Sequence, residues 1–289
     1  MGMVAVERTR SLTACPQETT LDPITSIPAE WPQEGKIVLN NVSACYRAGL
    51  PKVLNAINLQ IPPCTTVGVC GRTGSGKTTL AKCLFRLMEI SKEGTIQIDG
   101  HDIAHVALST LRQKITMVPQ DPILFAGPLR YSLDPANKYT DAQLWQALES
   151  VQMKEHVENM EDQLDAAIVQ GGENISAGQR QLFCMARALL EHSKILIMDE
   201  ATSNIDGKTD NVIQTMLKEV FTDCTVLTIA HRIDTILWYD KVLVLDQGEI
   251  VEYDSPEVLS KKEGSAFKAL LSEYKKGREA HDDISVVEE

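Results

Sequence analysis

Residues 71–78 read GRTGSGKT, which places glycines, a lysine and a hydroxyl in the spacing G-x-x-x-x-G-K-[ST]. That spacing makes a loop able to grip a phosphate chain. Gly74 and Gly76 let backbone N–H groups close around phosphate oxygens, and a helix starting at the end of the loop adds the positive end of its dipole. Lys77 then supplies a full charge to the β- and γ-phosphates, and the Thr78 hydroxyl suits Mg²⁺. Gly71, Arg72, Thr73, Ser75 and Thr79 complete the same cradle.

Asp199 closes the run KILIMD, in which four apolar residues in a row leave no polar side for water. Such a strand is buried on both faces, and its carboxyl end is where open α/β sheets place ligands, so Asp199 is read as the carboxylate that holds Mg²⁺, directly or through one of the ion's own ligands. Glu200 follows directly and could orient or deprotonate an attacking water. Alone it would be an ordinary exposed acid; the phosphate loop turns the reading toward catalysis. His231 ends a second run of this kind, CTVLTIAH, and its imidazole either reaches the γ-phosphate region or is structural. Gln120, in MVPQDP, lies between a short apolar run and a proline-stiffened loop, where a neutral amide could contact metal or water and then move. Tyr46, near a strand end, either packs or stacks on a nucleobase, an interaction of about 1 to 3 kcal/mol.

A second candidate anion site lies in GGENISAGQRQL, at 171–182. Ser176 and Gln179 have the S-x-x-Q spacing of a capping box, which satisfies the first helix amides locally. The same Ser176, with Gly178, also makes a helix N-terminus able to take a phosphate. The spacing is compatible with both readings.

These groups need a frame. The apolar TVGVC before the phosphate loop reads as a strand and TTLAKCLFRLM after it as a helix. Residues 1–33 are punctuated by Pro16, Pro23, Pro28 and Pro32 and read as an extended tether. Between Lys36 and Gly100, KIVLNNV and TIQIDG suggest a small antiparallel sheet, with Asp99-Gly100 as a hairpin turn. From Thr140 to Leu190 the spacing is helical, with Leu144, Trp145, Leu148 and Val151 on one face. KVLVLDQGEIVEY reads as a hairpin, followed by a short amphipathic helix through Phe267, Leu270, Leu271 and Tyr274. Beyond Lys275 the polar tail is expected to be disordered.

Composition narrows the partners. A net charge of −12 over 289 residues repels nucleic acid and anionic lipid, so a bound phosphate needs a local positive pocket. Seven scattered cysteines, none in a C-x-x-C pair, fit reduced cytosolic thiols. No apolar run approaches the roughly 18 to 20 residues that span a bilayer, so the chain is expected to be soluble.

Taken together, GRTGSGKT, ISAGQ, ILIMDE, SNID and His231 resemble, in order and spacing, the nucleotide-binding domain of ATP-binding cassette (ABC) proteins from about residue 35 to 261. PAEWPQEGKI, PQDPILFAGPLRYSLDP and GGENISAGQRQL are similar to the second, C-terminal cassette of subfamily C, the multidrug-resistance-associated type. VAVERT is similar to the segment that joins the last transmembrane helix to that cassette. The resemblance implies an α/β P-loop NTPase with a mainly parallel core sheet, an antiparallel β subdomain and an inserted helical subdomain at about 134–193. It implies a linker at 1–33, the cassette at 34–262, and a C-terminal helix with a disordered tail at 263–289.

The resemblance further implies ATP and Mg²⁺ as ligands and a head-to-tail pair of cassettes. Ser176, Gly178 and Gln179 would face the γ-phosphate held by the partner's loop, which gives the second anion site a use. Tyr46 would stack on adenine, Gln120 would sense Mg²⁺ and the transmembrane partner, Asp206 would lie in the loop crossing the dimer, and His231 would contact the γ-phosphate. The implied partners are a second nucleotide-binding domain, on the same or another chain, and transmembrane domains; no nucleic acid is implied. Membrane association would run only through those domains, at the cytoplasmic face. The implied function is an ATP-hydrolysing cassette that powers export, and the alternative is a regulatory cassette that senses nucleotide and gates a channel or receptor. Two residues depart from the commonest signature, LSGGQ: Ile175 and Ala177 stand in its first and third places, and the Ala177 methyl bears on how closely the backbone can approach a phosphate. Glu200 is retained, which fits hydrolysis. A guanine-nucleotide switch is set aside, because the nearest string to N-K-x-D, at 137–140, reads NKYT.

Overall fold

The computed structural model describes residues 2–14, 27–47, 49–201, 205–230 and 232–285. Along the chain run α1 (Gly2–Thr13), β1 (Ile37–Ala44), β2 (Leu54–Ile61), β3 (Thr66–Cys70), α2 (Lys77–Leu84), β4 (Thr95–Ile98), β5 (His101–Asp102), α3 (Leu108–Lys114) and β6 (Ile115–Val118). There follow β7 (Gly127–Pro128), α4 (Leu129–Leu133), α5 (Asp141–Ser150), α6 (Lys154–Glu158), β8 (Ala167–Ile168), α7 (Ala177–Leu190) and β9 (Ile195–Asp199). The last elements are α8 (Gly207–Glu219), β10 (Thr225–Ile229), β11 (Lys241–Asp246), β12 (Glu249–Asp254), α9 (Pro256–Lys261) and α10 (Ala266–Ser285).

The expected antiparallel sheet forms in the order β2-β1-β4-β5. Alternating burial along β2 turns Leu54, Ile57, Leu59 and Ile61 toward the core, as a sheet with one wet face requires. Asp99 and Gly100 form the two-residue turn between β4 and β5, both left-handed, with Ile98 paired to His101. Asp99 does more than turn the chain. Its carboxylate accepts from the amides of Gln33, Glu34, Gly35 and Lys36 at 2.8, 2.9, 3.2 and 2.7 Å. Beside it Trp31 is buried and donates its indole N–H to the Ile98 carbonyl at 2.9 Å.

The main sheet has the order β12-β11-β3-β10-β9-β6, parallel except for β12 at one edge. Every residue of β9 and β10 is buried, as the unbroken apolar runs predict. Their side chains alternate between two cores. Ile195, Ile197, Leu227 and Ile229 pack with α2 and the antiparallel sheet, while Leu196, Met198 and Val226 pack with α7, α8 and α10.

The helical insert is built as its periodicity predicts. Thr140 and Gln143 form a capping box at the start of α5, and Leu144, Leu148 and Val151 are buried with Trp145 partly buried beside them. Between α5 and α7, β8 pairs with β7, which ties the insert to the loop after β6.

Two expectations are corrected. The stretch 1–33 is not extended throughout, because α1 occupies Gly2–Thr13; Ala, Met, Glu, Arg and Leu are good helix formers there, and the prolines begin only at Pro16. The polar tail is not disordered from Lys275 either. The helix continues to Ser285, and the straight-chain Lys275 and Lys276 lose little entropy in it. His231, with Thr202 and with Ser203 and Asn204 of the SNID string, lies outside the described residues. Among the described residues no helix is long and apolar enough to cross a membrane, and six cysteines are free thiols.

Candidate active site

The phosphate loop joins the buried end of β3 to α2, the strand-loop-helix order its chemistry needs. Gly74 has φ +82, and a Cβ there would meet nothing within 4 Å, so the open side of the loop is at this glycine. Lys77 is buried and donates its ammonium to the carbonyls of Gly71 and Arg72, at 2.9 and 3.1 Å. Burial lowers its pKa, and Glu200 foremost, then Cys70 and Asp199, work against that fall. The Cys70 thiol beneath it is pushed up to about 12 by its own burial, despite the nearby ammonium. The nearby carboxylates thus favour the Lys77 cation against the cost of its burial.

Strand register brings the other predicted groups to the same edge. Val118 pairs with Met198, Asp199 with Ile229, and Ile229 with Val69, so Gln120, Glu200 and Gly71 all follow directly on strands that end side by side. Asp199 is buried, Glu200 half-buried and Gln120 exposed. Glu200 has φ 51, a left-handed backbone that is uncommon for a residue with a side chain, and its amide donates to the Ile229 carbonyl at 3.0 Å. Held this way, the turn leaves the strand with the carboxylate next to Lys77's field rather than in the sheet.

The residues suit the ligands expected of them. Ser75 Oγ is buried without a hydrogen-bond partner, an orphan that an oxyanion in the loop would satisfy. The Thr78 hydroxyl, the Asp199 carboxylate and the Gln120 amide are all oxygen donors, the kind a hard divalent cation takes. No cluster of three or more His, Cys, Asp or Glu able to hold a metal occurs among the described residues. That pattern fits Mg²⁺, which is commonly held by one or two carboxylates together with substrate phosphates.

Beyond Gly74 opens a cleft of about 440 Å³ walled by Tyr46, Lys52, Val53 and Gln247. The Tyr46 hydroxyl lies 3.3 Å from Thr79 Oγ1, and the residue is 57% exposed, which leaves its ring available to a ligand. Gln247 comes from the β11–β12 turn, Gln247-Gly248. Gly248 donates its amide to the Ser75 carbonyl at 3.2 Å and accepts from the Asn55 amide at 2.8 Å, so the turn is fastened to the phosphate loop and to β2 together. Sequence reasoning found the hairpin and missed this use of it; the D-Q-G-E string signalled a tight turn, and nothing in the spacing said what it would touch.

Arg72, expected in the cradle, turns its side chain outward to Glu273 on α10, 3.5 Å away. Ser176 realises the capping box: it accepts from the Gln179 amide at 3.2 Å, and its own amide donates to Gln179 Oε1 at 3.0 Å. The next two amides, of Ala177 and Gly178, have no partner among the described residues. Gly178 is buried against α8, where a Cβ would come 2.9 Å from Thr209 Oγ1. Asp206 caps α8, accepting from the amides of Lys208 and Thr209 and from the Thr209 hydroxyl, bonds that hold its carboxyl below the usual range. The starts of α7 and α8 thus sit together. Among the described residues no hydrogen bond or ion pair joins them to the phosphate loop of the same chain.

Residues 54–203, just over half of the chain, match the sequence pattern of the family described as ABC transporter. The chain belongs to the ABC transporter family. This cassette is 45% identical over 284 residues to ABC transporter C family member 8 of Dictyostelium discoideum, covering 98% of the chain and 18% of that protein. It is 47% identical over 266 residues to ATP-binding cassette sub-family C member 2 of Rattus norvegicus, covering 92% of the chain and 17% of that protein. The cassette spans less than a fifth of the length of these relatives. Its structure is also similar to that of a bacterial Atm1-family ABC exporter with ATP bound, with TM-score 0.84, 28% identity, and coverage of 94% of this chain and 47% of that one. The cassette is an ATP-binding ATPase module of subfamily C kinship and exporter-type structure.

Proposed function

We propose that this cassette binds MgATP in the cleft formed by residues 71–79 and Tyr46, hydrolyses it, and in doing so drives export through transmembrane domains on the same or another chain. Loop amides and Lys77 hold the β- and γ-phosphates, and Tyr46 stacks on the base. Thr78, Asp199 and Gln120 hold Mg²⁺, which when bound neutralises charge on the phosphates. Glu200 orients a water and takes its proton as the oxygen attacks the γ-phosphorus and the bond to the leaving ADP oxygen breaks. His231 contacts the γ-phosphate in this reading. The observation that carries it is the arrangement around Lys77: a buried ammonium held by the Gly71 and Arg72 carbonyls in a loop open at Gly74, with Glu200 and Asp199 at the same sheet edge favouring its charge.

The second half of the proposal concerns Ser176, Gly178 and Gln179. They complete the γ-phosphate site of a second cassette docked head to tail, with Asp206 at the shared boundary. The unpartnered amides of Ala177 and Gly178, at a capped helix start where Ser176 and Ala177 are exposed and Gly178 is buried, support this. Mixing Lys77→Ala chains with Ser176→Arg chains tests it. Each is inactive alone, and their heterodimer rebuilds one intact composite site, so ATPase activity should return. A mixed dimer that forms by crosslinking yet hydrolyses no ATP refutes the shared site.

A further inference from the structure

Arg72 belongs to the phosphate loop, yet its guanidinium is committed elsewhere: Nη2 lies 3.5 Å from Glu273 Oε1 on α10. The helix that carries Glu273 is firmly seated. Buried Glu252 on β12 accepts from the Ser265 hydroxyl at 2.8 Å and from the Phe267 amide at 3.0 Å, which fixes the start of α10. Phe267 is buried, and Leu270, Leu271 and Tyr274 pack against the same core. Toward the phosphate loop the helix is less closely fitted. Ala266, Ala269, Leu270 and Glu273 line a cavity of about 220 Å³ together with Gly71 and Arg72. Among the described residues no hydrogen bond joins α10 to residues 71–79, so the charge pair is the polar link between them. Asp246, the other acid on that cavity, makes no ion pair among the described residues.

The two side chains are 73% and 63% exposed, so their pair is weak and readily exchanged. A stronger partner would bind close by. The Arg72 carbonyl accepts from Lys77 Nζ at 3.1 Å, which puts the Arg72 α-carbon within about 6 Å of the ammonium that serves the phosphates. An extended arginine side chain spans more than this, and its planar fork matches phosphate oxygens. We propose that Glu273 is an autoinhibitory latch: by occupying Arg72 it withholds a cation of the loop from the triphosphate and holds ATP affinity down. This rests on the reading of residues 71–79 as the nucleotide site. The C-terminal helix thereby sets the affinity of the phosphate loop, and any shift that lifts Glu273 away frees Arg72 for the phosphates.

Titration calorimetry with MgATP at low ionic strength tests this in a cycle of the parent chain, Glu273→Gln, Arg72→Ala and the double variant. Glutamine forms helix about as well as glutamate, and both substituted positions are exposed, so the variants fold. Glu273→Gln should tighten ATP binding by about twofold to fivefold, the range that an exposed ion pair can withhold. In the Arg72→Ala background the same change should bring no gain, because no guanidinium remains to be released. Salt at about 0.5 M should erase the gain in the parent background as well, since it screens exposed charges beyond a few ångströms. Unchanged or weaker binding in Glu273→Gln overturns the latch. So does an equal gain in both backgrounds, which is the mark of long-range charge alone. Lys77→Ala separates the two readings: if it binds ATP normally, the nucleotide site itself has been misplaced, whereas loss of ATP binding there leaves the cycle to decide whether Glu273 restrains Arg72.

Discussion

Gly248 lies far along the chain from the phosphate loop, yet an alanine there should weaken ATP binding. Two separate costs apply. A side chain at φ +80 adopts the left-handed region at roughly 1 to 2 kcal/mol. Its Cβ would also come 2.3 Å from the Val53 carbonyl oxygen, far inside contact, and forcing the strand aside adds about 1 to 3 kcal/mol. Gly100 supplies the control. Its φ is +79, almost the same, but a Cβ there would meet nothing within 4 Å, so Gly100→Ala carries the first cost without the second. For a chain of this size each kcal/mol lowers the melting temperature by about 2 to 4 °C, so Gly248→Ala should melt clearly below Gly100→Ala, which in turn melts below the parent. Because Gly248 donates to Ser75, calorimetric titration should show a raised Kd for ATP in Gly248→Ala and an unchanged one in Gly100→Ala. Equal melting temperatures for the two variants, or parental ATP affinity in Gly248→Ala, would refute the idea that this turn braces the phosphate loop.

Glu200→Gln should bind ATP with parental affinity while turnover in a coupled phosphate-release assay falls by about a hundredfold or more, the usual share of a general base; unchanged turnover would remove Glu200 from the chemistry. Lys77 gives a pH dependence whose sign follows from its lowered pKa. ATP affinity should fall as pH rises through that lowered value, before reaching the 10.5 of an ordinary lysine, with net proton uptake on binding in that range. Lys77→Arg should abolish both effects, and affinity that holds level up to pH 10.5 would contradict the burial argument.

Much of this frame is legible in sequence because it depends on local rules. The apolar runs at 195–199 and 225–229 could only be central strands, Asp99-Gly100 could only turn, and the loop at 71–78 carries its own chemistry in its spacing. Less legible were contacts between residues distant in the chain. Nothing near Asp99 announces that its carboxylate will gather four amides from 33–36, and nothing near Arg72 points to Glu273. The two-residue strands β7 and β8 have no periodicity to detect, since they exist only because the insert folds back on the loop after β6. The helix at Gly2–Thr13, and the run of α10 beyond Lys275, were missed for the opposite reason. Prolines nearby suggested an extended tether at one end and polar residues suggested disorder at the other, although half of Gly2–Thr13 and much of the run beyond Lys275 are good helix formers.

The clasp of Asp99 and Trp31 has a mechanical corollary. A tug on the backbone ahead of Trp31 is borne in shear by the strand ending at Ile98 and passes through the β4–β1 and β1–β2 ladders to Leu54, whose methyl borders Gly76. Displacement entering at Trp31 would then reach the turn beside Gly76 through three hydrogen-bonded strands, β4, β1 and β2.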